Sequence, residues 1–261
     1  MYLPQLLKRS EQGEKLVALT CYDAGFARVL VHSGVDILLV GDSLGMTVQG
    51  HTTTLPVTLE HMAYHTEAVA RGADGRAFVM ADLPFGSYQT SPQHAFTNAA
   101  RLMAAGANMV KLEGGAVMVD TVEYLSQRGI PVCAHLGLLP QSVNQTGYRV
   151  QARERKAAEQ LIKDAASLEE AGAGMLVLES IPAMLAAEVT NCLALPTIGI
   201  GAGADCDGQV LVLQDLLGMT PSPPRFAKDF MAGATSIADA VGRYVQAVRD
   251  GSFPGPEHQF P

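Results

Sequence analysis

What this 261-residue chain lacks narrows its class. No apolar run approaches the ~20 residues of a membrane span. Positive charge is scarce: 18 Lys and Arg against 26 Asp and Glu give a net charge of −8, which argues against nucleic acid or an anionic membrane as partner. Four cysteines, Cys21, Cys133, Cys192 and Cys206, are scattered without a Cys-x-x-Cys pair, so neither a zinc site nor a disulfide framework is expected. The opening Met-Tyr-Leu-Pro-Gln-Leu-Leu-Lys-Arg-Ser lacks the basic-then-apolar layout of a secretory signal. Reduced thiols in a cytoplasmic protein are therefore the expectation. Linkers and low-complexity tracts are absent before residue 218, and residues 1–261 read as one domain with a short C-terminal extension.

What is present is an alternation of strand and helix signals. Short apolar runs bounded by turn residues predict strands at Lys15–Thr20, Val35–Val40, Ala77–Ala81, Met109–Leu112, Pro131–Ala134, Met175–Leu178 and Thr197–Ile200, with a weaker one at Gln209–Leu213. Leu59, Met62, Ala63, Thr66 and Ala70 mark one face of a helix, Ser91-Pro92 caps another, and Glu154 to Ala171 makes a third. Ile237, Val241, Tyr244 and Val248 have helical spacing after a Pro-rich segment at 219–226. Seven or eight such units point to a parallel sheet, closed or open. Right-handed crossovers around eight strands would close it, and polar residues ending strands two to six, too many for one crevice of an open sheet, favour a closed (β/α)8 barrel, for which about 250 residues is typical.

Five of the runs end on polar residues: Asp42-Ser43, Asp82, Lys111-Leu-Glu113, His135 and Glu179. That placement predicts one shared site at the carboxyl rim. Asp42, Asp82 and Glu113 are hard oxygen ligands that would suit Mg²⁺ if they converge; separate helix caps are the alternative. Lys111 and Glu113, two apart in a strand, face the same way and form either a structural pair or part of a site for an anion. His135 is a hydrogen-bonded core residue or a catalyst. Glu179 is a general base or the partner of a rim arginine, Arg149 or Arg153. His61 and His65, at i and i+4 on a helix, are either a metal-binding pair or, the favoured reading, a solvated helix face. Ile198-Gly-Ile-Gly201-Ala-Gly203 is either a phosphate cradle or a tight turn beneath a crowded rim.

These strings, with Leu19–Ala24, Leu38–Met46, Thr54–Leu59, Ala81–Phe85, Val110–Gly115, Ala134–Gln141 and Gly199–Gly203 in order, resemble ketopantoate hydroxymethyltransferases from about Leu16 to Phe226. The resemblance implies a metal-enolate barrel of the phosphoenolpyruvate/pyruvate type, often assembled as a homodecamer of two stacked pentamers. It implies transfer of a one-carbon unit from 5,10-methylenetetrahydrofolate to 3-methyl-2-oxobutanoate through a Mg-stabilised enolate, giving 2-dehydropantoate for pantothenate synthesis. Asp42 and Asp82 would bind Mg²⁺, Glu113 completing the site directly or through water. Ser43, Lys111 and His135 would hold the 2-oxoacid, with Asp42 and Asp82 beside it through the metal, and Glu179 would be the base. The chain departs from the family pattern at Gly86, where a larger residue is usual, and at Ala152, where glycine is common. Competing expectations are a related metal-enolate lyase or mutase acting on C–C or C–P bonds, and a catalytically silent barrel.

Overall fold

The computed structural model describes residues 1–261 and contains a closed barrel of eight parallel strands in sequential order. They are β1 Leu16–Thr20, β2 Ile37–Val40, β3 Phe78–Asp82, β4 Met109–Glu113, β5 Val132–Gly137, β6 Met175–Glu179, β7 Thr197–Ile200 and β8 Gly208–Leu211. All eight predicted runs are strands. The clearest difference is at their ends: Asp82, Glu113, His135 and Glu179, expected just beyond the strands, lie inside them. The ladder explains this, because Asp82 pairs with Lys111, Glu113 with His135, and Gly137 with Glu179.

Strand periodicity then positions the site. Residues i and i+2 share a face, and the inner column of β3 runs Phe78, Met80, Asp82, while that of β4 runs Met109, Lys111, Glu113. In β5 it runs Cys133 then His135, and in β6 Met175, Val177, Glu179. The lower members of these columns, with Leu16, Ala18, Ile37, Leu39, Ile198, Ile200 and Val210, form an apolar plug inside the barrel. Leu6, from the helix Leu3–Glu11, is fully buried in this cluster. The polar residues are the next layer up, at the carboxyl end. The alternate residues, such as Val79, Val110, Ala134 and Leu178, pack outward against the helices in the larger core.

The predicted helices are found at Leu59–Ala73, Pro92–Ala104, Arg155–Glu170 and Ile237–Arg249. Ser91 caps the second of these, its hydroxyl accepting from His94 N at 3.1 Å. The last helix buries Tyr244, whose hydroxyl lies 3.0 Å from the carbonyl of Ala18. The C-terminal tail is ordered: Ala183 N donates to Phe260 O, and Arg225 Nε donates to Glu257 O. All four cysteines are free thiols. No helix is long and apolar enough to cross a membrane.

Candidate active site

The carboxyl end of the barrel opens into a cavity of about 880 Å³, within the range that holds small-molecule ligands. Asp42, Ser43, Asp82, Lys111, Glu113, His135 and Glu179 all line it. Every predicted site residue is thus brought to one chamber. Asp42, Asp82, Lys111, Glu113 and His135 are buried. Ser43 is half-buried, its Oγ 2.8 Å from the Tyr22 hydroxyl.

Lys111 organises the floor. Its Nζ lies 3.2 Å from Asp82 Oδ1 and 3.3 Å from His135 Nδ1. Burial alone would lower its proton affinity, but Asp82, Glu113 and Asp42 outweigh that and hold the ammonium charged. An ammonium can only donate, so His135 Nδ1 accepts and the imidazole proton sits on Nε2. Burial, helped by the Lys111 charge, lowers the His135 pKa well below its usual value, and the ring is neutral. Nε2 faces Glu179 Oε2 at 3.2 Å, with alignment short of a hydrogen bond. Neither Arg149 nor Arg153 pairs with Glu179; His135 takes that place.

Burial pushes the Glu179 carboxyl up to about 7, opposed by Lys111. The backbone around it is tightly specified. Gly137 has φ +96, and a Cβ there would sit 2.1 Å from the Glu179 carbonyl, which accepts from Leu138 N at 2.8 Å. Ser180, immediately after Glu179, is buried with φ +48, a strained conformation for a residue with a side chain.

The carboxylates are held by a residue to which sequence reasoning gave no role. Gln141 is buried, and its Nε2 donates to Asp42 Oδ2 at 2.9 Å and to Leu83 O at 3.0 Å. Its backbone N–H donates to Glu113 Oε2 at 3.0 Å, and its Oε1 accepts from the Tyr88 hydroxyl at 2.7 Å. Asp82 Oδ2 accepts from Asp42 N. As the side chains stand, no three His, Cys, Asp or Glu groups form a metal-ligand set. The expected convergence of Asp42, Asp82 and Glu113 on one point is therefore not found; Gln141 holds Asp42 and Glu113, and Lys111 stands beside Asp82.

The donor set nevertheless fits a hard divalent cation. Glu113 Oε1 is buried without a hydrogen-bond partner, and Asp82 Oδ1 is met only by the Lys111 ammonium at 3.2 Å. Three carboxylates against one ammonium leave an excess of negative charge. Burial raises both Asp82 and Glu113 above their usual range, with Asp42 adding to each and Lys111 opposing. A 2+ ion would supply the missing partners and charge.

Other sequence expectations resolve differently. His61 and His65 are not a solvated face: His61 Nδ1 accepts from Thr58 N at 3.2 Å, and His65 Nδ1 lies 2.6 Å from Tyr22 O. Both are half-buried and tie down backbone. The Gly-Ile-Gly-Ala-Gly string ends β7 and runs into a tight turn: a Cβ on Gly201 would lie 2.8 Å from Phe226 Cδ1 and 3.1 Å from Phe260 Cε2. Those two rings close over the end of β7. The Pro-rich segment supplies much of the cavity's outer wall.

Comparison with known proteins identifies the family. The family profile for ketopantoate hydroxymethyltransferase matches residues 1–256. The 3-methyl-2-oxobutanoate hydroxymethyltransferase of Thiobacillus denitrificans is 67% identical over 251 residues, covering 96% of this chain and 95% of that one. Its namesake from Nitrosospira multiformis is 62% identical over 255 residues, covering 97% of each. Among solved structures, phosphonopyruvate hydrolase in complex with oxalate and Mg++ superposes with a TM-score of 0.63 at 12% identity, covering 99% of this chain and 93% of that one. That last likeness concerns the fold alone. On the profile and the two relatives, the chain belongs to the ketopantoate hydroxymethyltransferase family.

Proposed function

We propose that this protein transfers a hydroxymethyl group from 5,10-methylenetetrahydrofolate to 3-methyl-2-oxobutanoate, giving 2-dehydropantoate, with Mg²⁺ as cofactor. The observation that carries the reading is the line Lys111–His135–Glu179 beside the buried carboxylates of Asp82 and Glu113, whose negative charge Lys111 alone offsets, in a chain of this family. Asp42 and Asp82 would hold the metal, with Glu113 direct or through water. When bound, the ion supplies Lewis acidity toward the carboxylate and keto oxygens of a 2-oxoacid, which acidifies the adjacent C–H.

The chain's own groups do the rest. Glu179, with a pKa near 7, is suited to accept the proton from carbon 3 near neutral pH. The C–H electron pair becomes the carbon–carbon double bond of the enolate, and negative charge collects on the former keto oxygen. Lys111 stabilises that charge from a site where water does not compete. Neutral His135 presents Nε2–H to Glu179 or to the oxoacid, and Ser43 offers a hydroxyl at the rim. Carbon 3 then forms its bond to the one-carbon unit, tetrahydrofolate leaves, and one water supplies the hydroxyl oxygen. We place the enzyme in the cytoplasm, as a homo-oligomer acting on two small molecules.

The test is direct: incubate the protein with both substrates and Mg²⁺ and look for 2-dehydropantoate by mass spectrometry. Its metal-dependent appearance supports the reading. Consumption of the oxoacid by cleavage, with no folate requirement, points instead to a lyase.

A further inference from the structure

The cavity is larger than a five-carbon oxoacid needs, and its two sides differ in chemistry. The groups assigned to the oxoacid come from β2 to β6. Across the mouth, the arc from β7 through β8 to β1 carries a second polar set to which the mechanism gives no role. Leu213 N donates to Thr20 Oγ1 at 2.9 Å, which fixes the turn after β8 against β1. The next two residues, Gln214 and Asp215, both line the cavity.

Asp215 is 8% exposed, yet no cation pairs with it. Thr220 Oγ1 donates to Oδ1, and Oδ2 takes no hydrogen bond from the protein. Gln214 Oε1 is buried and has no partner at all. A carboxylate with one oxygen free of protein donors, beside a buried amide oxygen with none at all, suits a ligand rich in N–H groups. The surrounding wall includes the apolar side chains of Met219, Pro221, Phe226 and Phe260. At the lip, Arg225 is exposed, its guanidinium 5.7 Å from the Phe260 ring centre.

We propose that Asp215 and Gln214 recognise the pteridine ring of the folate co-substrate. This rests on the transferase reading and assigns the half of the cavity that reading leaves open. The ring's N3–H and 2-amino group form a two-donor edge that a carboxylate accepts side by side, as it accepts an arginine fork. Gln214 Oε1 accepts the neighbouring ring N–H. The aromatic wall covers the ring faces, and Arg225 meets the carboxylates of the glutamate tail.

Titration with tetrahydrofolate, followed by calorimetry, tests the assignment. Asp215→Asn, nearly isosteric but with a donor in place of an acceptor, should weaken binding roughly 10- to 100-fold, the range for a charge-assisted hydrogen bond. Gln214→Leu should weaken it severalfold. The unmodified protein should show a loss comparable to that of Asp215→Asn for an analogue lacking the 2-amino group, a measurement that stands even if the Asp215 variant does not fold. Equal affinity of the unmodified protein for analogue and parent, or unchanged affinity in a folded Asp215→Asn, overturns the proposal alone. No tetrahydrofolate binding by the unmodified protein overturns the transferase reading and this proposal with it.

Discussion

Glu179 is held where ionisation is costly, and replacing it with glutamine should stabilise the fold. Burial raises its carboxyl from 4.5 to about 7. A tenfold change in proton affinity is worth about 1.4 kcal/mol, so ionised Glu179 costs the folded state roughly 3 kcal/mol. The side chain is 14% exposed, which makes this an upper value. The sign follows from the direction of the shift. Below pH 4.5 the group is protonated both folded and unfolded, and there is no cost. Between 4.5 and 7 the unfolded chain ionises while the folded one holds its proton, and stability falls as pH rises. Above 7 the loss is complete and constant. Glu179→Gln removes the titration while keeping an oxygen for His135 Nε2–H. In metal-free buffer its advantage should therefore be small at pH 5 and approach roughly 3 kcal/mol at pH 8. That corresponds to roughly 6–12 °C in thermal midpoint for a chain of this size. Unfolding curves at the two pH values measure it. An advantage independent of pH, or a variant less stable than the parent at pH 8, would refute the argument that desolvation sets this pKa.

Other consequences follow from named contacts. Gln141→Ala frees Asp42 and Glu113 from the residue that orients them, and Mg²⁺ affinity measured by calorimetry should fall about 10- to 100-fold. Asp82→Ala should abolish metal-dependent turnover; turnover at the parent rate under saturating Mg²⁺ would remove Asp82 from the metal site. Ala152 has φ +53, and Ala152→Gly should raise stability by up to about 1 kcal/mol in urea unfolding. Leu6 is fully buried among the apolar residues of the barrel interior, and Leu6→Ala should cost about 2–5 kcal/mol by the same measurement.

The barrel was legible because parallel strands buried on both faces leave continuous apolar runs, and eight of them are easy to count. The polar residues ending those runs were legible for the same reason, since an ionisable group in an otherwise apolar column stands out. Their position within the strands was not, because a ladder's length depends on its neighbour's register. Gln141 ends one of the family strings, but nothing in the sequence assigns it a role: it sits in the short helical turn Pro140–Ser142, and its partner Asp42 is 99 positions away. The roles of Tyr88 and Tyr22, which brace Gln141 and Ser43, were likewise not legible, since both contacts are made only in the fold. His61 and His65 looked solvated from spacing alone, since no periodicity reveals that Tyr22 O lies above the helix. At Ala152 the departure from the family's glycine gains a physical meaning only once its left-handed backbone is seen.

The central claim, that this chamber removes the carbon-3 proton of 3-methyl-2-oxobutanoate through Glu179, is tested most directly by solvent deuterium exchange without folate. The unmodified protein should exchange that proton in a Mg²⁺-dependent manner, and Glu179→Gln should not. Exchange that persists undiminished in Glu179→Gln, or its absence from the unmodified protein with Mg²⁺ present, would contradict the account.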